Sequence, residues 1–458
     1  MLKTISVNHT EIEDHMYPNL YRFKRKINEF SERADIMSFA LGDKDVLDVL
    51  TDGEHAGQVF VKDGAIFIKN SCVKRYGISE FDRFYITHEK NSILPRSQLK
   101  RHDVLFTTIG KYLGVSAIVN ERLEKANINQ NVVRIRLNEG FTTPQYLSCF
   151  LNSKIARFQI ANLFTGNTHP ILTYPKIKSL KIFIKDKNIE QSVTDNLLEA
   201  ESLTSNSLQK IEEALNQLKE SIGINFDSIT QPLTFSVEGN ELYNEEMITP
   251  QFYNPLFVKT IKEVQKKNKW DFLGDISDFE TGDEVGSKNY KLYLDRMESD
   301  ISFIRTTDLF NYEIDRYPDF YVEREIYSDL NQQIEPNDIL FSKDGKIGLT
   351  AMITESDRCI LGSGILRIKA NPDKIDPYYL FTVLSLPEIG QYQAKQRTVV
   401  ASTLPHLRMD RMNDFVIPRV ANEDHISGLM KDAFESKEKV KKLVDASRLL
   451  IEKGLDWD

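Results

Sequence analysis

The chain has 458 residues, of which 59 are Lys or Arg and 68 are Asp or Glu, so its formal net charge is −9. Hydrophobic residues make up 41% and charged residues 28%, which excludes a disordered chain and suggests two to four folded domains. No signal-like segment or apolar run of roughly 20 residues occurs, and the three isolated cysteines exclude a disulfide framework. We therefore expect a soluble, cytoplasmic protein.

In chain order, the first half alternates short β-rich runs with turns. Strand character is predicted within Gln58–Lys69 and at Asp103–Phe106, and the second run leads into a turn containing Gly110-Lys111. A helix is predicted to begin at Pro144, because proline suits the first helical position. A short strand at Leu180–Ile184 follows, so this half is predicted to be a mixed α/β or α+β domain.

A long helix comes next, over residues 187–225. Its apolar residues recur at intervals of three and four, which is the spacing of a narrow seam along a helix. The seam residues assigned to helix pairing are Leu208, Ile211, Leu215 and Leu218.

The second half of the chain repeats the first. Leu41-Gly42-Asp43 recurs as Leu273-Gly274-Asp275, and Asp103–Phe106 recurs as Asp338–Phe341. The segment that begins at Pro144 recurs at Pro377. Because the separation stays between 232 and 236 residues along the whole half-chain, we interpret the pattern as an internal duplication.

The long helix is duplicated as well, over residues 421–458. Its seam residues are Leu429, Val440, Leu443 and Leu450. Each seam needs a surface to bury it, so we expect the two helices to pair with each other as an antiparallel coiled coil. In the alternative, each helix covers its own domain. The predicted fold class is α+β: two tandem mixed α/β domains, separated and closed by these helices.

Motifs for catalysis are not found. Asp376-Pro377-Tyr378-Tyr379 lacks the second proline of the amino-methyltransferase tetrapeptide, and Asp344-Gly345-Lys346 lacks the spacing of a phosphate-binding loop. The eight histidines show no paired ligand spacing. We therefore expect no catalytic residue and no metal site, which favours a recognition or scaffold role.

Positive charge is concentrated locally in this acidic chain. No acidic residue occurs between Glu139 and Asp186, or between Glu388 and Asp410, and the two windows overlap under the duplication. Because phosphate contacts need local rather than net positive charge, a DNA-binding face is plausible. The alternative is that both windows are ordinary solvated surfaces. The lysine-containing turns at Gly110-Lys111-Tyr112 and Lys343-Asp344-Gly345-Lys346 would then have no role in binding.

The predicted DNA contacts are polar and basic residues of three kinds. Some lie in the two acid-free windows, some lie in the lysine-containing turns, and some directly follow matching apolar strands. In the first half they are Lys69, Asn70, Lys111, Tyr112, Asn167, Thr168, His169 and Lys176. In the second half they are Arg305, Thr306, Lys343, Lys346, Arg397, Ser402, Thr403, His406 and Arg408.

The duplicated order of these segments resembles the specificity subunit of type I restriction–modification systems. The resemblance is carried by the Leu-Phe…Gly-Lys segments at 105–111 and 340–346, the Pro-x-Tyr-Leu helices at 144 and 377, and the closing strands. It covers nearly the whole chain, although each motif alone is weak. It implies a target-recognition domain at 1–186, a spacer helix at 187–225, a second target-recognition domain at 226–420 and a second spacer helix at 421–458.

The resemblance further implies a fold with pseudo-twofold symmetry, in which each half reads one part of a split double-stranded DNA site while the helices fix the spacer. It implies partners that carry the chemistry: two adenine methylase subunits that bind S-adenosylmethionine, and a restriction subunit that uses ATP and Mg²⁺. This chain itself would bind no cofactor. The alternative function is a scaffold that binds proteins, and not DNA, through a duplicated domain.

Overall fold

The computed structural model describes residues 18–55, 57–75, 77–79, 84–166, 170–243, 247–292, 299–401 and 404–457. The chain divides into two compact units, which we call unit 1 (Met1–Leu203 with Lys439–Asp458) and unit 2 (Thr204–Glu438). We call residues 18–186 repeat 1 and residues 255–422 repeat 2. Among the described helices, none has a segment long and apolar enough to cross a bilayer.

Repeat 1 is built from short helices and short strands. Its described helices are α1 (Pro18–Ser31), α2 (His88–Ser92), α3 (Pro144–Leu151), α4 (Lys154–Leu163) and α5 (Tyr174–Lys178). Its described strands are β1 (Met37–Ala40), β2 (Leu47–Asp52), β3 (Ala65–Ile68), β4 (Val73–Lys74), β5 (Gly77–Ile78), β6 (Phe84–Ile86), β7 (Val104–Thr107), β8 (Ser116–Ile118), β9 (Asn127–Ile128), β10 (Val132–Leu137) and β11 (Lys181–Ile184).

Repeat 2 follows the first long helix and a connecting segment, and it precedes the second long helix. The helices from this point on are α6 (Lys187–Ile222), α7 (Gly239–Tyr243), α8 (Pro255–Lys267), α9 (Leu273–Ile276), α10 (Arg324–Leu330), α11 (Pro377–Ser385), α12 (Tyr392–Gln396) and α13 (Glu423–Gly454). The strands are β12 (Lys269–Phe272), β13 (Ser277–Thr281), β14 (Lys291–Leu292), β15 (Ile301–Ile304), β16 (Leu309–Phe310), β17 (Glu313–Ile314), β18 (Phe320–Val322), β19 (Ile339–Ser342), β20 (Thr350–Met352), β21 (Cys359–Leu361), β22 (Ile365–Ala370), β23 (Val399–Ala401), β24 (Leu404–His406) and β25 (Val416–Arg419).

The two repeats share their sheet topology. Repeat 1 has an antiparallel sheet of order β2-β10-β7-β8, and repeat 2 has one of order β13-β22-β19-β20. The pair β1-β11 corresponds to β12-β25, and β6-β3-β9 corresponds to β18-β15-β21, where repeat 2 adds β14 at the edge. This correspondence confirms the predicted duplication and the α+β class.

Local rules explain why the matching helices begin where they do. The Thr143 side chain accepts a hydrogen bond from the Tyr146 amide at 3.1 Å, and the Asp376 side chain accepts one from the Tyr378 amide at 2.8 Å. Each helix then has proline at its first position, where no amide donor is needed. The predicted starts at Pro144 and Pro377 are therefore confirmed.

The four-stranded sheet of repeat 1 is buried on both faces. On β7, Val104 and Phe106 belong to one apolar cluster and Leu105 belongs to another. The equivalent residues of β19, Ile339, Leu340 and Phe341, are fully buried as well. This explains why both strands are continuous apolar runs and do not alternate with polar residues.

The two long helices pack together in antiparallel orientation. In unit 1, the Asn196 side chain of α6 donates to the Ser447 hydroxyl of α13 at 3.2 Å. In unit 2, the Asn206 side chain donates to the Ser436 hydroxyl at 3.4 Å. Because the α13 numbers fall as the α6 numbers rise, the predicted antiparallel pairing is confirmed.

The seam is less apolar than the sequence pattern suggests. Leu208, Ile211, Leu218 and Val440 are buried, and Leu215, Leu429 and Leu443 are half-buried. The assignment of Leu450 is wrong, because its side chain is 39% exposed while the adjacent Ile451 is completely buried. Small polar residues, including Ser207, Ser436 and Ser447, occupy buried positions between the apolar ones.

The last turn of α13 and the residues that follow it complete the core of repeat 1. Ile451 and Leu455 belong to the main apolar cluster of that repeat, and the Trp457 ring packs edge-on against Phe30 with centroids 5.0 Å apart. The Lys185 ammonium forms an ion pair with Asp456 at 2.6 Å. Unit 1 is therefore assembled from two parts of the chain that are far apart in sequence.

Candidate nucleic-acid interface

Each repeat has a glycine–lysine turn, which we define as residues 110–112 in repeat 1 and 345–347 in repeat 2. Gly110 and Gly345 have φ values of 76° and 69°, a left-handed conformation that favours glycine. The Gly110 amide donates to the Pro170 carbonyl at 3.1 Å, and the Gly345 amide donates to the Pro405 carbonyl at 3.1 Å. Both repeats therefore use the same backbone contact.

The partner of each turn is a hairpin loop, which we define as residues 165–171 in repeat 1 and 399–406 in repeat 2. Beside each loop, the Leu172 amide donates to the Thr108 carbonyl at 3.0 Å, and the Leu407 amide donates to the Lys343 carbonyl at 2.8 Å. In each repeat, two separately predicted segments, a basic turn and a polar loop, thus lie side by side.

In the turn of repeat 1, Lys111 belongs to a 3-10 turn over Gly110–Tyr112, and its side chain lies outside the described residues. The Lys74 ammonium donates to the Tyr112 hydroxyl at 3.0 Å and lies 4.2 Å from the centre of its ring. Lys74 is only 2% exposed. The phenol predicted to contact DNA is thus engaged with a buried cation.

The two lysines in the turn region of repeat 2 have different environments. Lys346 is exposed at the turn. Lys343 is buried, and its ammonium lies 3.4 Å from a carboxylate oxygen of Asp344. Lys346 therefore presents its charge at the surface, whereas Lys343 supports the turn from inside.

The hairpin loops contain most of the predicted hydroxyl and amide contacts. Asn167, Thr168, His169, Ser402 and Thr403 lie outside the described residues. The remaining predicted loop residue, His406, is half-buried, and its Nδ1–H donates to the carboxylate of Asp344, the residue before the turn.

Lys69 and Arg305 occupy equivalent positions and both stack on aromatic rings. The Lys69 ammonium lies 3.6 Å from the ring centre of Phe84 and 4.2 Å from that of Phe60. The Arg305 guanidinium lies 4.2 Å from the ring centre of Phe320. Partial burial lowers the pKa of the Lys69 ammonium. Stacking holds each cation in place and leaves it half-buried.

Acidic neighbours constrain Arg305 further. Its guanidinium pairs with the buried Asp308 and with Asp319, each at 3.2 Å. The neighbouring predicted contacts, Asn70 and Thr306, begin matching 3-10 turns and are half-buried. Two carboxylates therefore hold Arg305 in addition to the aromatic ring.

The remaining predicted contacts differ in how much charge they present. Lys176 on α5 is half-buried, which lowers the pKa of its ammonium. Arg397 stacks on Phe415 at 5.2 Å and donates to the Gln396 side chain at 3.0 Å. Arg408 is exposed and pairs with Asp410 at 2.7 Å.

Lys185, at the end of the first acid-free window, pairs with an acid from the far end of the chain. Its ammonium lies 2.6 Å from the carboxylate of Asp456, which follows α13. An acid-free stretch of sequence is therefore not equivalent to an unpaired basic surface.

Sequence reasoning missed Asp344 and Lys74, whose side chains hold the turns. Their partners lie 62 and 38 residues away, so neither pairing follows from local sequence. Comparison of the two repeats could have pointed to both residues. Asp344 corresponds to Ile109, and Lys74 corresponds to Phe310, so each polar group replaces an apolar residue of the other repeat.

Neither a metal centre nor a reactive thiol stands out among the described residues. Within them, no group of three or more His, Cys, Asp or Glu is arranged to hold a metal ion. Cys72, Cys149 and Cys359 are buried as free thiols.

By its fold, the chain is a duplicated α+β protein whose paired long helices connect two equivalent repeats. Residues 267–426, nearly all of repeat 2, match the family model of the type I restriction modification DNA specificity domain. Repeat 2 is thus a DNA specificity domain of this family, which confirms the resemblance seen in the sequence.

Comparison with solved structures adds two similar chains. One is the S subunit of a type I restriction–modification system from M. genitalium (13% identity, 92% of this chain and 95% of that chain covered, TM-score 0.34). The other is the HsdS subunit from Thermoanaerobacter tengcongensis (14% identity, 92% and 97% covered, TM-score 0.30). Comparison with curated proteins finds no match.

Proposed function

We propose that this chain is the DNA-reading subunit of a type I restriction–modification complex and that each repeat reads one half of a bipartite target. The observation that carries the proposal is the match of repeat 2 to a DNA specificity domain, combined with the same strand order in repeat 1. Two copies of one reading domain in a single chain suit a target made of two parts.

The turn and the adjacent hairpin loop of each repeat are the proposed reading surface. Exposed cations such as Lys346 would contact phosphates and position the duplex. The polar residues of the hairpin loops would then reach base edges in the major groove, where each base pair presents a distinct pattern of donors and acceptors. Local charge of this kind is compatible with the net charge of −9.

Catalysis is proposed to reside in partner subunits. Two adenine methylase subunits would bind S-adenosylmethionine and dock on the long helices and repeats, and a restriction subunit would use ATP and Mg²⁺. The chain itself would act without a cofactor, as a non-catalytic component. An assay of the purified chain with S-adenosylmethionine and DNA tests this point, because turnover without a partner would contradict it.

The direct test is to express the chain with its partner methylase in a host that lacks adenine methylation, and to sequence the methylated genome. A gained methylation motif made of two half-sites and a fixed spacer is the expected result. The methylase expressed without this chain is the control. A methylase that modifies the same motif in both cases would overturn the proposal.

Salt titration separates DNA reading from the alternative role of a protein scaffold. Binding of the assembled complex to duplex DNA should weaken steeply as salt rises, because phosphate contacts release counterions. Absent or salt-insensitive DNA binding would favour the scaffold.

A further inference from the structure

The turn and hairpin loop have one backbone frame in both repeats but different side chains across it. In repeat 1 the two segments meet at a backbone bridge between Ile109 and Ile171. In repeat 2 the equivalent bridge joins Asp344 and His406. There the His406 ring donates to one carboxylate oxygen of Asp344, and the Lys343 ammonium lies 3.4 Å from the other. An apolar pair has thus been replaced by a hydrogen-bonded polar pair.

The opposite replacement occurs at another contact of the same turn. In repeat 1, the buried Lys74 ammonium contacts both the hydroxyl and the ring of Tyr112. The equivalent positions of repeat 2 carry Phe310 and Ile347. Among the described residues, each repeat therefore has a polar side-chain clasp where the other repeat has apolar side chains: Lys74–Tyr112 in repeat 1 and Asp344–His406 in repeat 2.

We infer that these two clasps are positioning elements that give the repeats different base preferences, by fixing the same glycine–lysine turn through different side-chain contacts. The inference rests on the proposed function and extends it by assigning residues that set half-site specificity. The Asp344–His406 clasp acts through the turn and the hairpin loop, while neighbouring groups make the DNA contacts.

Burial and charge support a positioning role for the Asp344–His406 clasp. The side chains of Asp344 and His406 are 30% and 44% exposed, so the pair lies at the surface but is not fully solvated. A lone carboxylate next to DNA would repel phosphates, whereas here both oxygens of Asp344 face donors. Reading a base edge requires side chains held to within about 0.5 Å, and a side-chain link between turn and loop provides such restraint.

The test uses the full chain assembled with its methylase subunits and measures methylation rates on targets substituted singly at each position of both half-sites. D344A and H406A should each reduce discrimination at one half-site, about tenfold at the most sensitive base. The other half-site should keep its profile. D344N, which retains an oxygen that accepts from the imidazole N–H, should restore most of the discrimination.

The clasp of repeat 1 provides a reciprocal experiment. Y112F keeps the ring under the Lys74 ammonium but removes the hydroxyl, so it should change the profile of the half-site that D344A leaves intact. The double variant D344I/H406I installs the isoleucine pair of repeat 1 in repeat 2. It should fold as the native chain does and show a new base preference at its half-site, not a uniform loss.

E335A is the matched control, because it breaks the exposed Glu335–Lys369 ion pair of the same repeat without altering the turn or loop. Unchanged base profiles in D344A and H406A, in a complex whose native form reads two half-sites, would overturn the inference alone. Equal losses at both half-sites would overturn it as well. A native complex that reads no bipartite target would instead overturn the proposed function.

Discussion

Two buried carboxylates, Asp103 and Asp338, show how single residues hold the duplicated sheets together. Asp103 is 1% exposed and accepts from the Arg136 guanidinium at 2.8 and 2.9 Å. Asp338 is 2% exposed and lies 3.6 Å from the Arg367 guanidinium. Burial raises the pKa of both carboxyl groups, against the opposing effect of these arginines. Each carboxylate also accepts from a backbone amide three residues earlier.

Replacing either aspartate by alanine should destabilise its unit by about 2 kcal/mol, because the guanidinium and amide donors that face the buried carboxylate lose their acceptor. Urea unfolding of D103A and D338A measures the cost. E335A, which breaks an exposed ion pair, should change stability by less than about 0.5 kcal/mol. Equal effects of all three substitutions would contradict a special role for the buried pairs.

At the scale of single elements, features set by local sequence could be predicted and features set by packing could not. The helix starts at Pro144 and Pro377 follow from capping by Thr143 and Asp376, which involves neighbouring residues only. The antiparallel pairing of the long helices followed from the duplicated stripe. The error at Leu450 arose because spacings of three and four both suit a helix, so the stripe alone does not determine which residue after Ser447 is buried.

In the candidate interface, too, the locally determined features could be predicted and the contacts between distant residues could not. The turns were predicted from glycine and lysine, whose conformational and charge preferences are local. The clasps at these turns were not predicted, because His406 and Tyr112 reach their partners across 62 and 38 residues. The acid-free windows also overestimated the unpaired positive charge, because an acid far away in sequence can pair with a lysine of the window, as Asp456 does with Lys185.

The structure separates two leucine-sized seam residues that the sequence pattern treats alike. Ile211 on α6 is completely buried, so Ile211→Ala should cost about 3 kcal/mol through lost burial and the cavity it leaves. Leu450→Ala should cost less than about 0.5 kcal/mol, because that side chain is 39% exposed. Chemical denaturation of both variants checks the difference, and similar losses would contradict the register described for α13.

At the scale of the whole molecule, each unit has its own tryptophan. Trp457 packs in unit 1 and Trp270 lies in unit 2, and the chain has no other. Variants with a single tryptophan therefore report on the units separately. Both long helices contribute to both units, because each passes from one unit into the other along its length.

Leu455→Ala should lower the stability of unit 1 by about 3 kcal/mol, because this leucine is 1% exposed in the core of repeat 1. In a W270F background the fluorescence of Trp457 should show an earlier unfolding transition. In a W457F background the Trp270 transition should stay where it is without the leucine change. Equal shifts of both probes would mean that the shared helices make the two units unfold together.

The paired helices predict how target spacing depends on their length. Seven residues inserted between Leu203 and Thr204 on α6, and seven between Glu438 and Lys439 on α13, would lie opposite each other, because Asn206 contacts Ser436 nearby. Each insertion adds about 10.5 Å of helix, at 1.5 Å per residue. It also returns the seam to within about 20° of its original face, so the pairing is retained.

If the helices fix the spacer, the variant with both insertions should methylate targets whose half-sites are unchanged and whose spacer is longer. The added rise corresponds to about three base pairs of 3.4 Å. Three base pairs also rotate the second half-site by nearly a third of a helical turn, so the methylation rate should fall even at the best spacer. Sequencing the methylated genome gives the motif directly. An unchanged spacer, or new half-sites with the old spacer, would show that the helices do not set the distance between the two reading surfaces.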